Sequence, residues 1–355
     1  MTGEQAPQSG LYAPPREEWL ALRQEPILEP ELPIIDAHHH LWMRGGSRYL
    51  FEELLADLKS GHRIVGTVFM ECRSMYRASG ADHLKPAGEV EYVNGVAAMA
   101  QSGVFGSSAV CAGIVGYADL TQGDLVQPAL ESLKQASSRF RGIRQVSAWD
   151  ADTTFHHPAV NRPPGLLLDP SFRTGFSRLA PLGLSFDAFL FHTQIAELTD
   201  LARQFPETQI VLDHLGAPLG VGTYAGQRDE IFFEWKKKIS RLAKCPNVAV
   251  KIGGLGMRSA GFAFDALALP PSSDDLASAW RPYVETVIEA FGPGRAMLES
   301  NFPPDKASCS YPVLWNAFKR LTSAFSFRER EDLFAGTAAR IYRLDYDRKM
   351  GRIFS

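Results

Sequence analysis

Residues 34–42 decide the fold and much of the chemistry of this chain, and they read Ile34-Ile35-Asp36-Ala37-His38-His39-His40-Leu41-Trp42. The β-branched pair at the start is typical of a buried strand, and the strand then runs into three consecutive imidazoles. Because side chains alternate along a strand, His38 and His40 are predicted to point to one side and His39 to the other. Two imidazoles converging at a strand end provide half of a metal site, or a pair of hydrogen-bond donors for an oxyanion.

The composition of the 355-residue chain is ordinary for a globular protein. Hydrophobic residues make up 45% and charged residues 22% of the sequence, which suits a sizeable core. With a formal net charge of -3, the chain has no excess of positive charge that would attract nucleic acid or an anionic membrane. Apolar runs are shorter than a membrane-spanning helix, and residues 1–8 lack a signal-peptide core. We therefore expect a cytoplasmic protein without nucleic-acid or membrane partners.

The cysteines indicate neither a zinc ribbon nor a disulfide framework. They are far apart in the chain and form no Cys-x-x-Cys pair, being Cys72, Cys111, Cys245 and Cys309. Such spacing is typical of buried reduced thiols.

Strand and helix patterns alternate between residues 34 and 344. Residues 1–33 carry Pro14, Pro15, Pro26, Pro30 and Pro33 and are predicted to form an extended arm, with a tail at 345–355. Between these segments, helical patterns separate eight strand patterns, which begin at Ile34 and continue at 64–71, 111–117, 142–146, 184–191, 209–212, 248–252 and 296–298.

Eight strands alternating with helices predict an α/β fold, a single-domain (β/α)8 TIM barrel, because parallel neighbours require crossover connections. An open doubly wound sheet would show the same alternation. The positions of the polar residues favour the barrel, since its strand ends surround one mouth. The residues at or just past strand ends are His38, His40, Glu71, Arg144, His192, His214 and Asn301.

The imidazoles in this set suffice for one divalent ion, zinc or manganese. The candidate ligands are His38, His40, His192 and His214, with Glu71 or Asp305 as oxygen ligands. Water on such an ion would be acidified and could attack a carbonyl. Without a metal, the same imidazoles could donate hydrogen bonds to an oxyanion while a carboxylate activates water. The residues fit both schemes.

Two cations occupy strands that are otherwise apolar. Arg144 and Lys251 would be costly there without a partner, so each is expected to meet a carboxylate. That carboxylate belongs either to the substrate or to the protein, in an internal salt bridge. Glu71 and His192 are the other candidates for substrate binding at the same mouth.

Five motifs in order carry a family resemblance: IIDAHHHLW, FRGIRQ, IVLDHLGAP, VAVKIGGLG and MLESNFPPDK. Over about residues 34–344 the chain resembles the amidohydrolase superfamily. It is most similar to TIM-barrel hydrolases that include sugar lactonases such as fuconolactonase, and more distantly to 2-pyrone-4,6-dicarboxylate lactonase. The resemblance implies a barrel that hydrolyses cyclic esters. In it, His38 and His40 match the first-strand His-x-His, His214 the sixth-strand histidine and His192 a fifth-strand ligand position.

The eighth strand departs from the superfamily pattern. Members usually end it in an aspartate that activates water, whereas this chain has Asn301 there. An amide can orient a group but cannot take its proton. We expect Asp305 to replace the missing base, with Glu299 and Glu71 as alternatives, and we expect weaker metal binding. The sequence carries no signature of a carboxylated lysine, so we do not expect a binuclear metal site.

Three functions stay open. The first is a hydrolase that opens a small lactone by attack of water on the carbonyl, with a sugar lactone or a carboxylated lactone as its partner. The second is a metal-dependent, non-oxidative decarboxylase of the same superfamily. The third is a non-catalytic barrel that binds a small ligand. For a reaction, the predicted catalytic residues are His38, His40, His214, Asn301 and Asp305. The sequence also leaves self-association into a homo-oligomer open.

Overall fold

The computed structural model describes residues 13–44, 46–156 and 163–354. Its centre is one parallel sheet of eight strands that follow the order of the chain. The strands are β1 (Ile34–His39), β2 (Ile64–Met70), β3 (Ala109–Gly116), β4 (Phe140–Arg144), β5 (Ser185–Ala188), β6 (Ile210–Leu212), β7 (Val248–Ile252) and β8 (Ala296–Leu298). This order confirms the predicted (β/α)8 barrel.

One main helix follows each strand, and each of the first seven returns the chain to the start of the next. These helices are α1 (Phe51–Leu58), α2 (Ala87–Gln101), α3 (Gln127–Ala136), α4 (Pro170–Phe176), α5 (Ile195–Gln204), α6 (Arg228–Leu242), α7 (Ser273–Phe291) and α8 (Tyr311–Leu321). Short helices at Glu17–Leu20, Phe327–Glu331 and Thr337–Ile341 flank the barrel, and a π-helical turn spans Asp332–Gly336. Two antiparallel hairpins pair Trp42–Arg44 with Ser47–Tyr49 and Tyr346–Asp347 with Arg352–Ile353, and short 3-10 helices lie in the connecting segments.

Successive strand residues divide between two apolar layers. Ile34 packs in the large cluster that includes the helices. Ile35 packs in a smaller cluster with strand residues Val211, Ala249 and Met297, to which the C-terminal residues Ala335, Ala338 and Tyr342 also belong. Every residue of β1 is buried, as expected for a strand covered on both faces. The C-terminal segment therefore fills part of the barrel interior.

The seam between β8 and β1 closes through backbone bonds beyond the end of β8 and through one carboxylate. The backbone N–H of Asn301 donates to His38 O (2.9 Å), and that of His40 donates to Phe302 O (2.8 Å). The fully buried Asp36 accepts from Ser300 N (2.8 Å) with Oδ1 and from the Tyr311 hydroxyl (3.0 Å) with Oδ2. Burial raises the pKa of Asp36 to about 6. The aspartate of the opening motif thus ties the first strand to the last.

Residues 13–33 lie against the barrel beside α7 and α8. The Trp19 indole donates to Leu267 O (3.1 Å), and Leu28 N donates to the Asn316 side chain (2.9 Å). Within the described ranges, no helix combines the length and apolar character needed to cross a membrane. All four cysteines are free and buried, as the sequence predicts.

Replacing Asp36 tests the seam. Asp36→Ala leaves Ser300 N and the Tyr311 hydroxyl without their buried acceptor, so we expect the free energy of unfolding to fall by about 2–4 kcal/mol. Tyr311→Phe removes only one of these bonds and should cost about 1 kcal/mol. Urea unfolding followed by circular dichroism measures both. Equal stabilities of Asp36→Ala and the parent protein would contradict this role.

Candidate active site at the carboxyl ends of the strands

His38 and His40 converge at the end of β1, as predicted. Their Nε2 atoms lie 3.1 Å apart, whereas His39 points the other way, with Nε2 2.9 Å from the Thr67 hydroxyl. Nδ1 of His40 lies 2.9 Å from the Met70 carbonyl oxygen, so Nδ1 carries the hydrogen and Nε2 keeps its lone pair. Burial, His38 and nearby Arg144 lower the pKa of His40 well below its usual value. The ring is therefore neutral and able to bind an electrophile.

His214 approaches the same point from the turn after β6. It adopts a left-handed backbone conformation with φ of 54°, and its ring centre lies 4.7 Å from that of His38. Nδ1 of His214 lies 2.6 Å from Oε1 of Glu299. Burial opposes the charged imidazole, but this carboxylate outweighs burial and raises the pKa of His214.

Glu299 lies between two imidazoles. It follows β8 directly and is fully buried. Its Oε2 lies 2.9 Å from Nδ1 of His38, while Oε1 contacts His214. Burial alone would raise the pKa of Glu299, but His214 and His38 hold it below its usual range. From the sequence, Glu299 was predicted only as an alternative base. Its position between the imidazoles of His38 and His214 is visible only in the structure.

Lys251 is fully buried and is surrounded by acceptors from the protein. Its Nζ lies 2.7 Å from Asp187, 3.0 Å from Asp213 and 3.3 Å from Nδ1 of His38. The two carboxylates lie within salt-bridge distance of the ammonium group, so Lys251 forms the internal salt bridge that the sequence left open as the alternative to a substrate oxygen.

Arg144 is also paired within the protein. Its Nε donates to Oε1 of Glu71 at 2.9 Å, and its Nη2 donates to the Glu71 carbonyl oxygen. The remaining Nη1 lies 3.4 Å from Nε2 of His38 and 3.6 Å from Asp213. Glu71 and Arg144 thus hold each other beside the imidazoles, which is the internal alternative that the sequence left open.

Asp305 and Asn301 form a pair just beyond β8. The Asn301 amide donates to Oδ1 of Asp305 (2.8 Å), and Gly256 N donates to Oδ2 (2.9 Å). Burial raises the pKa of Asp305 to about 7, against an opposing effect of His214. The carboxyl group therefore gains and loses its proton near neutral pH. Asn301 orients this group, as an amide can.

His192 has a different set of neighbours. Its Nδ1 accepts from Leu219 N at 3.3 Å, and its ring meets Tyr224 edge-on at 5.3 Å. Burial lowers the pKa of His192 to about 4. In the described part of the chain, the group of potential metal ligands comprises His38, Asp213 and His214, with one ligand atom each within 4.8 Å of the others. His192, expected as a fourth ligand, is not part of that group.

The residues present fit a divalent cation. Asp213 is fully buried, and neither of its oxygens has an aligned hydrogen-bond donor among the described residues, although Lys251 is 3.0 Å from Oδ1. The Nε2 atoms of His38 and His40, 3.1 Å apart, have the separation of adjacent ligands on one ion, given metal–nitrogen bonds of about 2.1 Å. Imidazole nitrogen with carboxylate oxygen suits zinc or manganese. Asp213 was not among the site residues predicted from the sequence, although its position directly before His214 was a usable signal.

Known proteins match this chain along most of its length. The family model described as amidohydrolase matches residues 35–344. The uncharacterized protein y4mH of Sinorhizobium fredii is 35% identical over 339 residues, covering 88% of this chain and 99% of that protein. The L-fucono-1,5-lactonases of Burkholderia multivorans and Burkholderia ambifaria are 25% and 28% identical, each over 66% of this chain and over 72% and 71% of those enzymes.

Solved structures share the barrel. An amidohydrolase from Burkholderia multivorans with bound zinc has a TM-score of 0.68 at 22% identity, covering 87% of this chain and 99% of that one. A putative 2-pyrone-4,6-dicarboxylic acid hydrolase from Pseudomonas putida has a TM-score of 0.58 at 17% identity, covering 88% and 98%. A 5-carboxyvanillate decarboxylase from Sphingomonas paucimobilis has 0.53 at 14%, covering 88% and 99%. At these identities the likeness concerns the fold.

The position of His214 depends on Gly254, because this residue has no Cβ atom that would overlap the imidazole. A Cβ at Gly254, where φ is 72°, would lie 2.5 Å from Cβ of His214. We expect Gly254→Ala to lower the free energy of unfolding by about 2–4 kcal/mol through backbone strain and overlap. Gly294→Ala is the control, since a Cβ there meets no atom within 4 Å and should change stability by less than about 0.5 kcal/mol. Urea unfolding compares the two, and equal stability would contradict the close packing.

Zinc binding tests which histidines contribute to the proposed metal site. We expect Zn²⁺ to raise the thermal unfolding midpoint of the chelator-treated parent protein, because a ligand that binds the native state stabilises it. His214→Ala should abolish this rise, and His192→Ala should retain it. Differential scanning calorimetry measures the midpoints. A rise that survives in His214→Ala and vanishes in His192→Ala would show that the ligand group lies elsewhere.

Proposed function

Because this chain belongs to the amidohydrolase family, we propose that it is a hydrolase that opens a small cyclic ester, a sugar lactone or a related carboxylated lactone. The reaction is attack of an activated water molecule on the ring carbonyl. Two relatives are L-fucono-1,5-lactonases, and a putative 2-pyrone-4,6-dicarboxylic acid hydrolase has the same fold. These named activities support a lactone as the small-molecule partner.

The observation that carries the proposal is the buried carboxyl group of Asp305, whose pKa is about 7. A general base is most effective when its pKa is close to the working pH. Asp305 accepts the proton of the attacking water and returns it to the ring oxygen as the carbonyl–oxygen bond breaks. Asn301 and Gly256 each hold one carboxyl oxygen, so the base keeps its direction while its charge changes.

The imidazoles supply the other half of the site. His38, Asp213 and His214 would hold a divalent ion, with His40 beside them. When bound, such an ion polarises the carbonyl and acidifies water. The protein excludes bulk water from this point, because His38 and Asp305 are fully buried and His214 and His40 are nearly so. In that dry surrounding, a fixed charge acts more strongly on the carbonyl.

The two other functions have less support. The relatives at 25% and 28% identity are lactonases, whereas the 5-carboxyvanillate decarboxylase shares only the fold, at 14% identity. A barrel that only binds a ligand would have no use for a buried carboxyl group with a pKa near neutral, since such perturbed groups cluster at catalytic sites.

The pH dependence tests the role of Asp305. We expect kcat/KM for lactone opening to rise about tenfold per pH unit below pH 7 and to level off above it, because only the ionised carboxylate takes a proton. Asp305→Asn should lower kcat/KM at least about 10²-fold and remove the ascending limb. Glu331→Gln, which changes a buried carboxyl group paired with Arg348, is the control and should keep both. Titration of the released acid at constant pH measures the rates.

The substrate panel comprises aldonolactones and carboxylated lactones, each assayed with added zinc, with added manganese and without metal. Failure of the parent protein to open any of them would refute the proposed hydrolase. Release of carbon dioxide from an aromatic acid would favour the decarboxylase instead.

A further inference from the structure

Glu299 contacts two imidazoles at once, and both contacts are made through Nδ1. Oε1 lies 2.6 Å from Nδ1 of His214 and also accepts from His214 N at 3.2 Å. Oε2 lies 2.9 Å from Nδ1 of His38, off the line of an ideal hydrogen bond. An ionised carboxylate has no hydrogen to donate. The hydrogen in each contact must therefore belong to the imidazole.

Nδ1 of His38 has one competing neighbour. Lys251 Nζ approaches it at 3.3 Å and could donate a hydrogen to it. The ammonium group, however, has closer acceptors in Asp187 at 2.7 Å and Asp213 at 3.0 Å. Asp213 also lies 3.7 Å from Nδ1 of His38. Two carboxylates beside this nitrogen favour a hydrogen on it.

The tautomer decides whether Nε2 of His38 carries a hydrogen or a lone pair. With the hydrogen on Nδ1, Nε2 of His38 keeps its lone pair, 3.1 Å from Nε2 of His40. His40 also keeps its lone pair, because its Nδ1 donates to Met70. In the other tautomer, Nε2–H of His38 would donate to His40, and the two rings would satisfy each other. The contact with Glu299 opposes that self-paired state.

The end of the neighbouring strand β7 leaves room for the Glu299 side chain. A Cβ at Gly253 would lie 2.3 Å from Cγ of Glu299 and 2.7 Å from its carbonyl oxygen. The next residue, Gly254, leaves room for His214 in the same way. Two consecutive glycines at the end of β7 thus accommodate the two partners of one hydrogen bond.

We propose that Glu299 is a positioning residue that holds His38 and His214 in one tautomer, with hydrogen on Nδ1 and the lone pair on Nε2, where an electrophile can bind. The donor Nη1 of Arg144, 3.4 Å from Nε2 of His38, agrees with a lone pair on that atom. The inference deepens the proposed function and rests on it for the identity of that electrophile, the carbonyl-activating cation. Glu299 is thereby removed from the candidates for the general base, since both its oxygens face imidazole N–H groups.

Nitrogen NMR of the imidazoles tests the tautomers directly, in metal-free protein labelled with ¹⁵N-histidine at alkaline pH, where the rings are neutral. We expect His38 and His214 to show a protonated Nδ1 and an unprotonated Nε2. Spectra of His38→Ala and His214→Ala assign the signals. In Glu299→Gln, the amide oxygen accepts from one ring while the amide nitrogen donates to the other, so one of the two rings should move its hydrogen to Nε2. Glu331→Gln should leave both rings unchanged.

Zinc affinity gives a second readout. Glu299→Gln should weaken zinc binding about 10–100-fold, the usual effect of losing a group that orients a metal-binding histidine, and Glu331→Gln should not. A parent spectrum with hydrogen on Nε2 of His38 or His214 would overturn the proposal, as would unchanged tautomers in Glu299→Gln. If that variant fails to fold, the parent spectrum alone decides. Neither measurement uses a lactone, so a failed substrate screen and a failed tautomer assignment are separate results.

Discussion

The buried carboxylate of Glu299 between His214 and His38 is the contact on which the site depends. A charge removed from water is tolerated only where donors compensate it. Here the donors come from β1 and from the turn after β6, while the carboxylate itself follows β8. The three strand ends must therefore meet at one point. Glycines at the end of β7 permit the approach because any side chain there would overlap it.

The barrel and the site share their first strand. Asp36 closes the seam between β1 and β8, and the imidazoles of His38 and His40 follow it by two and four residues. The pairing of β1 with β2 shifts register between Asp36 and His39, so that Asp36 contacts Tyr311 of α8 while His38 and His40 approach each other at the strand end. Because only one residue separates Asp36 from His38, a change in the seam would shift the imidazoles as well. Stability of the barrel and geometry of the candidate site are linked through this one strand.

The turn after the eighth strand pairs an amide with a carboxyl group. Asn301 stands where the family resemblance implies an aspartate, and it donates to Asp305, four residues further along. Moving the carboxyl group off the strand places it against the backbone of Gly256, where burial brings its pKa to about 7. The amide orients this carboxyl group, which is the general base of the reaction that we propose.

The amino-acid sequence alone determined the alternation of eight strands with helices, the convergence of His38 with His40 and the set of polar residues at the strand ends, which favoured a barrel over an open sheet. These features follow from alternation along a strand and from helices between strands, which neighbouring residues encode. The tertiary structure alone decided which side chains meet. It pairs Arg144 with Glu71 and Lys251 with Asp187, separates His192 from the other histidines, and places Asp213 and Glu299 at the centre. Such partners come from strands far apart in the chain, and their contacts depend on register and on turn geometry, which no short stretch of sequence specifies.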